Sequence, residues 1–288
     1  MNFVSFKELL EDSKSLIRKL PRKDITGVIG IPKSGMIPAT IMACELRVPL
    51  ASLGGKFWDG NPTSGTILLI DDSLASGEEM AKSVKAVSLP EGCKVIRAAV
   101  YASNLARRHP EVLDYYHKII TRPRYFEWNM WGHPKISRSV LDMDGVLCVD
   151  PAVRDDDGPE YQNALINAIP LHIPSRAVIG IATGRLERWR GITEEWLSKH
   201  GIRYGTLHMS PHPTAYARRK ARDVPSMKAK AYAASNAMMF IESETKQARR
   251  ICWESKRPVL ATDTMTVYQQ PADPNVPPVA LPLDDSDG

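Results

Sequence analysis

Val140-Leu141-Asp142-Met143-Asp144-Gly145-Val146-Leu147 joins a short apolar strand to two carboxylates on alternate residues and then a glycine. Side chains alternate faces along a strand, so both acids reach one pocket only if the chain curls after Asp142, and Gly145 permits that curl. An aspartate at a strand end, beside a second acid, is suited to attack phosphorus. Its neighbour can protonate the leaving oxygen, and a divalent cation can offset the crowded negative charge. The stretch therefore predicts phosphoryl transfer at the C-terminal end of a strand in an α/β fold.

Downstream, the apolar run Ala177-Val178-Ile179-Gly180-Ile181-Ala182 ends in Thr183-Gly184-Arg185. Lys228 stands four residues before Tyr232 on a helical stretch, and Ala237-Met238-Met239-Phe240-Ile241 leads into Glu242-Ser243-Glu244. Taken in this order, the segments resemble the four motifs of the haloacid-dehalogenase-like hydrolases, most of which are Mg-dependent phosphatases. The resemblance implies Asp142 as nucleophile and Asp144 as general acid and then activator of water. It implies Thr183 and Lys228 as stabilisers of the transferring group, and Asp142, Asp144, Glu242 and Glu244 as ligands of Mg²⁺. The family usually has aspartates in the last motif. Glutamate is one methylene longer, so at an octahedral Mg²⁺ site it must be set back or act through water.

The first half carries an independent pattern. Thr66-Ile67-Leu68-Leu69-Ile70 ends in Asp71-Asp72-Ser73-Leu74-Ala75-Ser76-Gly77-Glu78-Glu79-Met80, where a helical pattern begins. A strand feeding a Ser/Gly-containing loop at a helix N-terminus cradles phosphate, because free N–H groups and the helix dipole both favour an anion. Gly27-Val28-Ile29-Gly30-Ile31 likewise runs into Pro32-Lys33-Ser34-Gly35, a helical stretch from Ile37 to Leu46, and Val48–Leu53. These segments resemble the phosphoribosyl-diphosphate (PRPP) motif and the pyrophosphate loop of type I phosphoribosyltransferases. The resemblance implies that Asp71 and Asp72 hold the ribose hydroxyls, that Ser73, Leu74, Ala75, Ser76 and Gly77 cradle the 5′-phosphate, and that Lys33, Ser34 and Gly35 meet pyrophosphate. Ala75 stands where purine-specific members carry an aspartate, and Glu79 where a Ser or Thr usually touches the phosphate. Gly54–Pro62 lies where the family has a mobile catalytic loop, with Lys56 able to neutralise departing pyrophosphate.

At 288 residues, two domains are expected. We place them at 1–135, including an aromatic-rich hood or linker at 101–135 (Tyr115, Tyr116, Tyr125, Phe126, Trp128, Trp131), and at 136–270, followed by a disordered, proline-rich tail at 271–288. Those aromatics either stack a flat base or pack between the domains. Both domains alternate strand and helix, which predicts doubly wound parallel sheets in tandem, the second with little or no cap. Residues 4–19 have the period of an amphipathic helix. Tyr216-Ala217-Arg218-Arg219-Lys220-Ala221-Arg222 is expected as a basic loop that guides an anionic substrate.

Hydrophobic content of 43%, charge of 25% and a net charge of +5 are ordinary for a globular protein. No apolar run approaches the roughly 20 residues that span a bilayer, and the N-terminus lacks a secretion pattern, so a cytoplasmic location without membrane association is expected. Cys44, Cys93, Cys148 and Cys252 have no paired spacing for zinc or a disulfide framework, and Cys148 reads as a small buried thiol. His208 and His212 are separated by a proline-broken stretch unsuited to a metal pair.

The sequence thus reads as a bifunctional nucleotide-metabolism enzyme: PRPP-dependent transfer to a nitrogenous base, and Mg-dependent phosphate monoester hydrolysis through an aspartyl-phosphate. Its expected partners are PRPP, a base, and a nucleotide or other phosphate ester. A homodimer is left open. A PRPP- or nucleotide-sensing first domain that regulates the phosphatase, and a phosphatase of nucleic-acid ends, are the alternatives.

Overall fold

A computed structural model describes residues 1–57, 60–87, 89, 92–153 and 157–270, and the chain divides into two compact units, Met1–Trp128 and Asn129–Gly288. Trp58 and Asp59 of the expected catalytic loop, and the tail at 271–288, lie outside the described residues. Among the described residues no helix is long and apolar enough to cross a membrane.

The first unit opens with strand β1 (Asn2–Val4) and helix α1 (Phe6–Ile17). The predicted helix over 4–19 is shorter because Ser5 caps it. Ser5 Oγ accepts from the Glu8 N–H at 3.2 Å, and Glu8 accepts from the Ser5 N–H at 2.9 Å, a reciprocal box that fixes the first turn and leaves Val4 extended. The chain continues through β2 (Ile25–Gly30), α2 (Met36–Leu46), β3 (Leu50–Ser52), β4 (Gly65–Ser73), α3 (Glu78–Ala86), β5 (Cys93–Ala102), a single turn α4 (Leu105–Arg108), β6 (Tyr115–Ile119) and β7 (Arg124–Phe126).

Five strands make a parallel sheet in the order β3-β2-β4-β5-β6, while β1 and β7 pair separately. The apolar run of β4 is buried on both faces. Leu68 and Ile70 pack with Leu16 of α1 and Met42 of α2, whereas Ile67 and Leu69 pack with Met80 of α3 and Ala106 of α4. The expectation of a hood outside the sheet is corrected for Tyr115–Ile119. That segment is edge strand β6, which its β-branched and aromatic residues suit.

The second unit runs β8 (Ser139–Leu141), α5 (Pro159–Ile166), β9 (Val178–Leu186), α6 (Arg190–Lys199), β10 (Tyr204–Ser210), α7 (Ala215–Ala221), α8 (Val224–Ala234), β11 (Met239–Glu242), α9 (Thr245–Ser255), β12 (Val259–Ala261) and β13 (Thr266–Tyr268). Its sheet has the order β10-β9-β8-β11-β12-β13. All pairs are parallel except β12–β13. A wholly parallel sheet was expected, but the turn after Ala261 is too short for a crossover and can join only antiparallel neighbours. Val140, Ala182, Phe240 and Val259 pack against Ala229 and Tyr232 of α8 and Ile251 of α9.

The expected basic loop at 216–222 is mostly helix α7. Thr214 Oγ1 accepts from the Ala217 N–H at 3.1 Å, and the Ala, Arg and Lys residues that follow are strong helix formers.

Candidate functional sites

The order of each sheet marks one place for a site. In the first unit the chain passes from β2 to β3 and then crosses to β4 on the other side of β2. In the second it passes from β8 outward through β9 to β10 and returns to β11 on the other side of β8. Open α/β sheets bind ligands beyond the strands' carboxyl ends at such reversals. The loops after β2 and β4 flank the first reversal, and those after β8 and β11 flank the second.

In the first unit, Gly35 packs the 32–35 loop directly on β4. A Cβ there would lie 2.6 Å from Ile31 O and 2.9 Å from Asp71 Cα, so a side chain would push the loop off the strand. Lys33 is exposed, and its side chain has no hydrogen-bond or ion-pair partner among the described residues. Asp71 and Asp72 occupy successive positions of β4 with unequal burial, yet their carboxyls stay close enough to interact. Asp72 is buried and accepts from Trp128 Nε1 at 2.8 Å, in a group where Trp128 stacks on Phe126 at 4.8 Å. Asp71 stays partly open and accepts from the Asp72 N–H at 2.8 Å. Burial, and then the neighbouring Asp72 carboxylate, push Asp71 up to about 8, with Glu79 adding to the repulsion. Burial likewise raises Asp72.

The loop after β4 is split in its availability. The Leu74 N–H donates to Tyr101 O at 2.8 Å, and Leu74 O accepts from the Ser103 N–H and from Arg124 Nη2. Leu74 is 3% exposed and serves the core, which corrects its assignment to the phosphate cradle. The N–H groups of Ala75, Ser76 and Gly77 have no acceptor among the described residues, and they lead into the N-terminus of α3. Ser73 ends β4, and Ser76 Oγ accepts from the Glu78 N–H. Sequence reasoning placed Trp128 among aromatics that stack a base or pack between domains, not as a donor to Asp72, and assigned no role to Arg124. Both lie fifty or more residues along the chain from the partners they meet here, Asp72 and Leu74, so no local signal could have found them.

In the second unit, Lys228 lies on α8 with only 2% of its surface exposed, and its ammonium is 2.8 Å from both Asp142 Oδ2 and Glu242 Oε2. Asp142 ends the β8 segment, where its N–H donates to Ile241 O, and its Oδ1 accepts from the Met143 N–H at 2.8 Å. Burial, and then Glu242, hold Asp142 well above the usual carboxylate range, since one ammonium cannot neutralise two buried acids. Burial alone would lower Lys228, yet its two carboxylates hold it above its ordinary value. Thr183, fully buried near the end of β9, accepts from the Arg185 N–H at 3.2 Å and lines the same cavity. Gly145, with φ +75, lets the turn after Asp144 approach the β11 loop; a Cβ would come 2.5 Å from Ser243 Cβ.

Arg185 is the residue whose role the sequence left unassigned. It is 1% exposed, and its Nε donates to both Asp144 oxygens at 3.1 and 3.0 Å. A charged residue three positions past the apolar run, still within β9, was its signal, because a buried cation demands a partner. Asp144, expected as a proton donor, is an acceptor in this arrangement. Cys148 is buried, with its thiol pushed upward by burial and then by Asp144, as expected of an inert sulfur.

The carboxylates expected to hold Mg²⁺ do not fit that ion as arranged. Both Asp142 oxygens and both Glu242 oxygens accept hydrogen bonds, the latter from Lys228 and from the Ser243 N–H at 3.0 Å. Asp144 belongs to Arg185, and Glu244 accepts from Gln247 Nε2 at 2.7 Å. Among the described residues no group of three or more His, Cys, Asp or Glu side chains is placed to hold a metal. The set Asp142, Asp144, Glu242 and Glu244 is therefore corrected: cations of the chain itself occupy the positions next to three of the four acids.

The cavity above Asp142, Thr183 and Lys228 measures about 1390 Å³, and Arg218, Arg222, Lys246 and Arg250 stand among its walls.

No protein-family model matches the sequence, and no curated protein matches it. Among solved structures, the chain is similar to a purine phosphoribosyltransferase from Pyrococcus horikoshii, at 20% identity and a TM-score of 0.36, over 44% of this chain and 94% of that one. It is similar to a xanthine-guanine-hypoxanthine phosphoribosyltransferase from Helicobacter pylori, at 16% identity and a TM-score of 0.35, over 44% and 91%. An orotate phosphoribosyltransferase from Aeropyrum pernix matches at 19% identity and a TM-score of 0.32, over 40% and 70%. The likeness lies in the N-terminal part of the chain.

Proposed function

We propose that the chain carries two activities: transfer of a phosphoribosyl group in the first unit, and hydrolysis of a phosphate monoester by a haloacid-dehalogenase-like second unit. The observation that carries the second is Lys228, buried at 2.8 Å from Asp142 and Glu242 at the reversal of the sheet. Asp142 attacks phosphorus, the leaving alkoxide departs opposite, and water then releases phosphate from the aspartyl intermediate. Thr183 and Lys228 stabilise the transferring group, and Arg185 fixes Asp144 beside it as the group that later receives a proton from water.

In the first unit, Asp71 meets a ribose hydroxyl, the free N–H groups of Ala75, Ser76 and Gly77 hold the 5′-phosphate, and the Lys33–Gly35 loop meets pyrophosphate. A second reading of this unit, binding without turnover, is favoured by Glu79, whose carboxylate already repels Asp71 where a sugar phosphate would add more negative charge.

Phosphate release from a panel of nucleoside monophosphates and sugar phosphates, compared between the wild type and Asp142→Asn, tests the hydrolase. We expect release that falls by about a thousandfold or more in the variant. Release unchanged by the substitution would refute the aspartyl mechanism. Pyrophosphate release from PRPP with a panel of bases separates transfer from binding alone.

A further inference from the structure

The second unit's cavity is larger than a single phosphate ester requires. Small-molecule pockets usually span about 300–1,000 Å³, and this one measures about 1390 Å³. Its charges are also paired unevenly. Near the rim, Glu254 accepts from Arg250 at 2.9 Å and from Ser226 at 2.8 Å, Asp263 accepts from Thr245, and Glu244 accepts from Gln247. Arg218 donates to Gly184 O at 2.7 Å.

Two cations on these walls stand apart from that network. Arg222, at the C-terminal cap of α7, and Lys246, in the first turn of α9, are exposed, and neither side chain has a hydrogen-bond or ion-pair partner among the described residues. Arg250 fixes them on adjoining walls. Its Nη1 donates to Arg222 O at 3.1 Å and its Nη2 to Ser226 Oγ at 3.0 Å, which ties the end of α7 to α9. Among the described residues, the cavity-lining acid without a hydrogen-bond or ion-pair partner, Asp150, lies instead beside Gly145 and Asp144 at the floor. Among the described residues, the charge left unmatched at the rim is therefore positive.

We infer that this cavity takes a substrate with two phosphate groups, one transferred at Asp142, Thr183 and Lys228 and a second, retained one held between Arg222 and Lys246. The inference rests on the phosphatase reading of the floor. A second phosphate supplies the acceptor oxygens that both cations lack, and charge-assisted hydrogen bonds of this kind are stronger than neutral ones. Its source is either a small bisphosphorylated nucleoside or sugar, or the next phosphate of a nucleic-acid strand end.

The test is calorimetric binding to the Asp142→Asn protein of adenosine 5′-monophosphate, adenosine 3′,5′-bisphosphate and a 5′-phosphorylated trinucleotide. We expect the bisphosphate to bind about tenfold more tightly than the monophosphate, and Arg222→Glu combined with Lys246→Glu to abolish the difference. A gain confined to the bisphosphate identifies a small molecule; a larger gain for the trinucleotide identifies a strand end. Equal affinities, or an advantage that survives the charge reversal, overturn the inference. Should the double variant fail to fold by circular dichroism, Arg222→Gln and Lys246→Gln are each expected to cut the advantage about threefold, and no change in either refutes it.

Hydrolysis of p-nitrophenyl phosphate by the wild type reports separately on the floor. Turnover without a bisphosphate advantage removes only the second-phosphate site. An advantage without release of phosphate from any compound removes the hydrolase reading and leaves the second-phosphate site standing.

Discussion

Ala75, Ser76 and Gly77 in the first unit keep N–H groups that no acceptor among the described residues uses, whereas Asp142, Lys228 and Glu242 in the second have already found one another. Both groups lie beyond the carboxyl ends of their strands at a reversal of strand order, so topology alone does not explain the contrast. The first site is built from backbone at a helix N-terminus, exposed at Ala75 and Ser76, and can wait for an anion at little cost. The second is built from charged side chains in the interior, where each must be paired before the fold is stable. An open backbone site is thus ready for its ligand, while a buried ionic site must trade internal contacts for substrate contacts.

The strongest way to break this comparison is Lys228→Ala. Two buried carboxylates would lose their ammonium, and urea denaturation should show a loss of about 4 kcal/mol; a loss below about 1 kcal/mol would mean that the site does not depend on internal pairing.

Gly35→Ala comes next. Its Cβ would meet backbone on two sides, at 2.6 Å from Ile31 O and 2.9 Å from Asp71 Cα, so neither neighbour can yield as a flexible side chain would. We expect about 2–3 kcal/mol of destabilisation and weaker PRPP binding by fluorescence titration, with no change in phosphate release.

Asp71→Asn should act in the opposite direction on stability. The carboxyl titrates near 3.8 when unfolded and about 8 when folded, so between those values the unfolded chain releases a proton that the folded chain keeps. The wild type therefore loses stability as pH rises through that window, and the amide does not. At pH 8 the variant should be more stable by the order of 2 kcal/mol, and equal to the wild type below about pH 4. Thermal melts across pH would show it, and a variant no more stable at pH 8 would show that Asp71 is not held protonated. PRPP affinity should fall in the same variant, because stability and ligand readiness oppose each other at an open site.

Trp128→Phe is the mildest. It removes the indole donor to Asp72 while keeping an aromatic ring beside Phe126, so about 1 kcal/mol should be lost. An unchanged midpoint would show that water replaces the indole.

Much of the fold was legible because its signals are local. The apolar runs ending at Asp71 and Asp142 become β4 and β8, and Lys228 does lie on a helix four residues before Tyr232. One error missed a local signal, and another came where tertiary context overrode local reading. The segment at 216–222 looked like a loop by its charge, yet Thr214 caps it as α7. Leu74 looked like part of an anion cradle, yet β5 takes its N–H.

The sequence by itself determined where strands end in acids, glycines and hydroxyls, because strand period, turn chemistry and helix starts are set by residues within a few positions of one another. Only the tertiary structure decided which charge meets which. Lys228 and Asp142 are 86 residues apart, Arg185 and Asp144 41, and Trp128 and Asp72 56. A buried charge takes as its partner whatever the packing of distant elements brings within hydrogen-bond reach, and no local pattern encodes that distance.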